Sequence, residues 1–278
     1  MRADFKCRNM RNILFALFLL VVLMQGATPV CGGTIFAAGE SPDLPILLYH
    51  RFGPVAVDGM TVTTPVFESH LKYLKENGYT VIPLRMLVDY YMGKGPVPPQ
   101  KSVVIAADDG HESVYTHMQA LVKQYRVPVT LFIYPSAISN ASYAMTWDQL
   151  RLLKKTGLFD MQSHTYWHPN FKKEKKRMSI SEFEKFADMQ FRRSREKLQR
   201  EIGSSVDMLA WPFGIYDGQL VAMAQKAGYV AAFTIEAHHA TRADNIMRLP
   251  RYLLINADKG KAFEGIIRGV SMRRNVAY

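Results

Sequence analysis

The sequence predicts an α/β fold, with a parallel sheet closed or nearly closed into a (β/α) barrel and one domain running from about residue 40 to the end. Three observations carry this. Short apolar runs alternate with helical patterns about seven times between Pro45 and Ile255, as in a parallel sheet flanked by helices. The runs are apolar throughout rather than alternating, as strands buried on both faces are. Polar residues collect at the ends of these runs, where barrel enzymes carry their chemistry.

Taken in order, Pro45-Ile46-Leu47-Leu48-Tyr49-His50 reads as a first strand ending in a histidine, and Thr61 to Pro65 as a loop or short extended piece. Phe67, Leu71 and Leu74 have helical spacing, and Gly78 supplies the stop. Tyr79–Ile82 reads as a strand and Leu84–Tyr91 as a helix closed by Gly93. The Val103 strand follows a turn rich in Gly and Pro and ends in Asp108-Asp109-Gly110. A helix is expected over 113–125 and a strand over Val127–Ile133. Thr146 is expected to cap a helix that ends near Gly157, before a strand over Phe159–His164. The segment from Lys172 to Arg200 reads as one long basic amphipathic helix. A strand over Met208–Pro212, a helix over Asp217–Ala227 and strands over Tyr229–Ile235 and Leu249–Ile255 complete the pattern.

The first 39 residues stand apart. Arg2, Lys6, Arg8 and Arg11 precede an uninterrupted apolar run from Ile13 to Met24. This is the layout of a secretion signal, and the run is short for a membrane span. Residues 1–39 are therefore expected to be a signal peptide, or failing that a membrane anchor, and the chain is expected to be exported: secreted, periplasmic or held at the outer face of the cytoplasmic membrane. Both cysteines, Cys7 and Cys31, fall in this leader. The domain after it has neither disulfides nor thiol chemistry and rests on its core, for which a hydrophobic content of 48% is ample. The formal net charge is +11. Much of it lies between Lys172 and Arg200, which reads as a solvated face, with attraction to anionic cell-envelope polymers as the functional alternative. Export argues against a nucleic-acid partner. Oligomeric state is not legible.

Two carboxylates at the end of a buried strand are costly unless a cation meets them. A helix cap would account for one aspartate but not for two and a glycine. His164 and His168 follow another strand, separated by Thr165-Tyr166-Trp167 and followed by Pro169. Two imidazoles and a carboxylate form a mixed N/O donor set for a divalent ion, zinc first, with cobalt, nickel, manganese or iron also suited. One aspartate can then bind the ion while its neighbour takes a proton from water, whose pKa a bound ion lowers from about 15.7 towards about 7. His50, at the end of the first strand, is placed to protonate a leaving group. Backbone N–H groups near Pro212-Phe213 are placed to stabilise an oxyanion. The reaction implied is metal-assisted hydrolysis of an acyl group.

These residues resemble the polysaccharide deacetylase (NodB-homology) family over nearly all of the chain after the leader. The family's Asp-Asp-Gly element matches Asp108-Asp109-Gly110. Its His-[Ser/Thr]-x-x-His-Pro-like element matches His164 to Pro169, and its x-Pro-[Phe/Tyr]-Gly turn matches Trp211-Pro212-Phe213-Gly214. The resemblance implies a distorted (β/α)7-type barrel. It implies Asp108 as general base, Asp109, His164 and His168 as metal ligands, and the Phe213 N–H in an oxyanion hole, with Trp211, Pro212 and Gly214 shaping the substrate site. Ala210 stands where the family carries an arginine that orients the base, and the late Leu-x-His element that supplies the acid is replaced by Leu48-Tyr49-His50 at the first strand. In this the chain is similar to the exported deacetylases of poly-β-1,6-N-acetylglucosamine in biofilms, whose elements are permuted. That likeness makes His50 the acid, and on position alone Arg248 or Arg251 is expected to orient Asp108. Rival readings are a peptidoglycan or chitooligosaccharide deacetylase, and a carbohydrate-binding protein that has lost turnover. Trp211, with Trp147, Trp167 and Tyr134 behind it, is expected to stack on a sugar ring. His70, His111 and His117 read as surface groups, and His238-His239 as a polar loop.

Overall fold

In the computed structural model, which describes residues 43–270, the chain begins with β1 (Ile46–Tyr49), β2 (Arg51–Gly53), β3 (Thr61–Thr63) and α1 (Thr64–Glu76). Next come β4 (Thr80–Val81), α2 (Leu84–Tyr91), β5 (Ser102–Asp108), α3 (Gln119–Tyr125), β6 (Val129–Ile133), α4 (Trp147–Lys155) and β7 (Phe159–Ser163). The remainder is α5 (Phe171–Lys175), α6 (Ile180–Ile202), β8 (Met208–Ala210), α7 (Gly218–Lys226), β9 (Ala231–Phe233), β10 (Tyr252–Leu253) and α8 (Lys261–Ile267). The described residues belong to one compact unit, Glu40–Tyr278.

The principal sheet runs β10-β1-β5-β6-β7-β8-β9, with β4 beside the start of β5. Every pairing in it is parallel, with Leu47 opposite Ile105, Leu131 opposite Met161 and Leu209 opposite Ala232. The two ends approach through one segment. Leu249 bridges Phe233 of β9, and Tyr252 then pairs with Leu47 of β1. The sheet is thus the curled (β/α)7-type barrel expected from the sequence, and its parallel strands deliver all their C-terminal ends to one face.

Two cores sandwich the strands. Residues Val103, Ile105 and Ala107 of β5 join the cluster under the helices, whereas Val104 and Ala106 join the interior cluster with Phe132, Ala210 and Phe233. Side chains alternate with a period of two, so Asp108 continues the interior row and points into the mouth of the barrel. The small Ala106 and Ala210 leave room for Phe132 and Phe233, whose rings meet at 5.3 Å.

Several expectations need correction. The basic segment is two helices, not one. The first ends at Lys175, and Ser179 caps α6 through a capping box with Glu182, because a Ser-x-x-Glu element satisfies two orphan backbone donors at a new helix start. Of the two readings given for Thr61 to Pro65, the short extended piece is the one present, at Thr61–Thr63, which pairs parallel with Arg51–Gly53. The strand expected over Leu249–Ile255 is regular only at Tyr252–Leu253. His70 is buried: its ring stacks on Phe263 at 3.9 Å, Nδ1 meets the Tyr49 hydroxyl, and Nε2 meets the Asp258 carbonyl. The cap at Thr146 is present as expected, again as a capping box. No helix of the described residues is long and apolar enough to cross a membrane. The leader reading and both cysteines lie outside the described residues.

Candidate active site

The strand ends deliver the expected residues to one pocket of about 150 Å³, whose lining includes His50, Asp108, Asp109, His164, His168 and Phe213. His50 follows β1, Asp108 is the last residue of β5, and His164 follows β7. Three of these residues sit in the left-handed region: Asp109 at φ 76°, His168 at φ 63° and Phe213 at φ 56°. Such conformations cost about 1–3 kcal/mol each outside glycine and persist where the surroundings enforce them. Glycine flanks two of them for steric reasons. A Cβ on Gly110 would lie 3.0 Å from Ile138 Cδ1, and one on Gly214 would lie 2.6 Å from Ile235 Cγ1.

The two aspartates are held differently. Both oxygens of Asp108 accept from Arg251, Oδ1 from Nη1 at 2.8 Å and Oδ2 from Nη2 at 2.9 Å. Arg251 is fully buried, donates Nε–H to the Thr234 carbonyl at 2.9 Å, and lies 5.2 Å over the Phe132 ring. All three guanidinium nitrogens are therefore engaged, and the planar fork fixes the carboxylate in two directions. Burial pushes the Asp108 carboxyl up, but the Arg251 charge, then His164 and the Arg251 hydrogen bonds, hold it below the usual carboxylate range. Of the two candidates for the orienting role, Arg251 is the one in place. Arg248 is exposed and turned to the Tyr216 hydroxyl instead.

Asp109 instead faces the histidines. Its Oδ1 lies 3.7 Å from His164 Nε2 and 3.9 Å from His168 Nε2, and one donor atom from each of the three residues lies within 4.8 Å of the others. Tetrahedral donors at about 2.1 Å from an ion stand about 3.4 Å apart, so both spacings close with shifts of a few tenths of an ångström. His164 Nδ1 lies 2.8 Å from the Ala210 carbonyl. A carbonyl only accepts, so the proton is on Nδ1 and the Nε2 lone pair faces Asp109, as metal ligation requires. Burial, and then the neighbouring His164, push His168 down to about 3, which keeps it a neutral ligand. The donor set thus fits a divalent ion. Asp108 reaches His164 Nε2 at 3.6 Å, but its fork with Arg251 separates it from the Asp109 set.

His50 lies in the same pocket. Burial lowers its pKa against the upward pull of Asp109 and Asp108, and its Nδ1 is buried with no hydrogen-bond partner among the described residues. One expectation for the turn is corrected. Trp211 is among the residues around the pocket, but its side chain is fully buried, with the indole N–H on the Met247 carbonyl at 2.9 Å, so the stacking face expected of it is covered. Gly214 donates its N–H to the Trp211 carbonyl at 2.9 Å and Pro212 has none, so both shape the turn rather than offer donors. Trp167 is half exposed and packs on Phe186. Arg51, Met60 and Ile235 also line the pocket; the adjacency of Arg51 to His50 was the one sequence signal available for these three.

A carboxylate fixed by an arginine, beside a His-His-Asp donor set at the mouth of a parallel barrel, defines a hydrolase centre of the metal-assisted kind. Comparison with known proteins narrows the class. Residues 95–232 match the family profile described as polysaccharide deacetylase, and the chain carries a polysaccharide deacetylase domain. A poly-beta-1,6-N-acetyl-D-glucosamine N-deacetylase of Staphylococcus epidermidis is 25% identical over 282 residues, covering 92% of this chain and 96% of that protein. A protein of the same name from Staphylococcus aureus is 27% identical over 216 residues, 76% of this chain and 72% of that one. Among solved structures, the Streptococcus pyogenes deacetylase PplD in complex with acetate superposes with a TM-score of 0.73 at 19% identity, covering 81% of this chain and 98% of that one. IcaB from Ammonifex degensii gives 0.72 at 21% identity, covering 84% and 99%. These two likenesses establish the fold.

Proposed function

We propose that this chain hydrolyses the N-acetyl groups of poly-β-1,6-N-acetylglucosamine outside the cytoplasm, using a divalent ion held by Asp109, His164 and His168. The observation that carries the reading is the division of the Asp108-Asp109 pair, one carboxylate forked by Arg251 and the other facing two histidines. The substrate follows from the curated relatives, one of which matches over nearly its whole length. The donor set suits zinc first, with cobalt, nickel, manganese or iron as substitutes. Residues 1–39 are proposed as the export leader, with residues 40–278 forming the deacetylase domain.

The bound ion supplies Lewis acidity to water and to the acetamide carbonyl. Asp108, kept ionised and oriented by Arg251, removes a proton from the attacking water as its oxygen bonds to the carbonyl carbon. The backbone at Phe213 faces the oxygen that gains charge. His50, on which the Asp109 and Asp108 charges partly offset the stronger downward push of burial, passes a proton to the amide nitrogen as the C–N bond breaks. Acetate leaves and a free amine stays on the sugar. Acetate release from β-1,6-linked N-acetylglucosamine oligomers, against β-1,4-linked chitin oligomers and peptidoglycan, tests the assignment. Preference for the β-1,6 series is expected. Release from chitin oligomers or peptidoglycan alone would overturn the substrate.

A further inference from the structure

A second groove, of about 340 Å³, has Phe171 and Leu220 in its lining, with Lys172, Lys175, Lys176 and Asp217. Its walls continue the two loops that build the site. One wall follows His168 through Pro169 and Asn170; the other follows Phe213 through Gly214 into Ile215. The two loops touch where the His168 and Phe213 rings lie 4.6 Å apart. Three extended residues reach at most about 11 Å, so the groove starts within a few sugar lengths of the reacting amide. Lys175 is neutralised by Asp217 at 2.7 Å. Lys172 and Lys176 have no ion-pair partner among the described residues, so the groove is apolar at its floor and positive at its rim.

We propose that this groove is a subsite for a neighbouring unit of the substrate chain, and that Lys172 and Lys176 make it selective for units that still carry the neutral acetamide. The inference rests on the proposed function, because the product of that reaction is a free amine. An amine protonates at neutral pH and then meets two like charges, whereas the uncharged sugar with its methyl-bearing acetamide fits the apolar floor. Deacetylation of one unit would therefore weaken binding of that unit in the groove and discourage reaction at the adjacent position. Repulsion between solvated charges is weak and screened by salt, so the discrimination expected is about severalfold and falls as salt rises.

The experiment compares kcat/KM for acetate release from a fully acetylated β-1,6 pentamer and from the same pentamer carrying one free amine, in the full-length chain and in K172Q/K176Q. The wild-type ratio should favour the acetylated pentamer severalfold, and the ratio should approach one in K172Q/K176Q and at 0.5 M salt. A wild-type ratio near one, or a ratio unchanged in the variant, overturns the proposal. Binding of both pentamers by titration calorimetry reads the same ratio independently of turnover. Discrimination in binding without acetate release would sustain the groove and contradict the proposed reaction. Acetate release with no discrimination would do the reverse.

Discussion

Arg251 and Asp108 stand 143 residues apart in the chain and meet as a two-pronged ion pair, both buried, at 2.8 and 2.9 Å. The contact exists because the terminal segment spans from β9 to β1 and so carries Arg251 into the barrel mouth beside β5. Ala210 has no side chain that could hold Asp108, and Arg251, immediately before β10, makes that contact instead.

Removing one partner of a buried ion pair strands the other charge, at a cost of about 3–5 kcal/mol. R251Q should therefore lose stability on that scale in urea titrations and lower kcat by about 10²–10⁴, with metal content unchanged. R251K, which keeps the charge without the planar fork, should fall between. In R251Q/D108N the stability loss should shrink, since the stranded charge is gone; equal losses in single and double variants would dissolve the coupling.

His50 carries the leaving-group proton in this account, and no ligand role. H50A should cut kcat by about 10²–10⁴ and leave bound zinc at wild-type stoichiometry by elemental analysis. Wild-type turnover in H50A would remove it from the mechanism.

Metal binding should be visible in stability as well as in turnover, because a ligand that binds only the folded state stabilises it by mass action. Adding zinc to chelator-treated protein should raise Tm in the wild type and leave H164A unmoved. An equal rise in both would place the ion elsewhere.

Burial lowers His70 to about 4 in the fold, against about 6.5 in an unfolded chain. The folded state thus resists a proton that the unfolded state accepts, and the stability this group contributes is complete above pH 6.5 and lost as pH falls towards 4. The loss at pH 5 should be about 2 kcal/mol. Urea midpoints of wild type and H70Q should therefore differ more at pH 7 than at pH 5, whereas a constant difference would contradict the shift.

Much of this was legible in the chain. Parallel strands buried on both faces read as unbroken apolar runs, so β1, β5, β6 and β7 stood out, and polar residues at their ends marked Asp108, Asp109, His164 and His50. What was not legible depends on three-dimensional closure. Arg248 and Arg251 are equivalent in sequence, and only the path of the last strand separates the exposed one from the buried one. Trp211 within the turn motif reads as a sugar platform, and its burial, with the indole N–H on the Met247 carbonyl, is visible only in the fold. Other misses were readable after all. Phe67, His70, Leu71 and Leu74 share one helical stripe, which places His70 inside, and Ser179-x-x-Glu182 announces a new helix.

The central claim is that neighbouring carboxylates do different work, and the direct measurement is zinc content alongside acetate release from a β-1,6 oligomer in D108N and D109N. D108N should keep the metal and lose turnover, and D109N should lose both. Loss of metal in D108N, or retention of metal and turnover in D109N, would contradict the assignment.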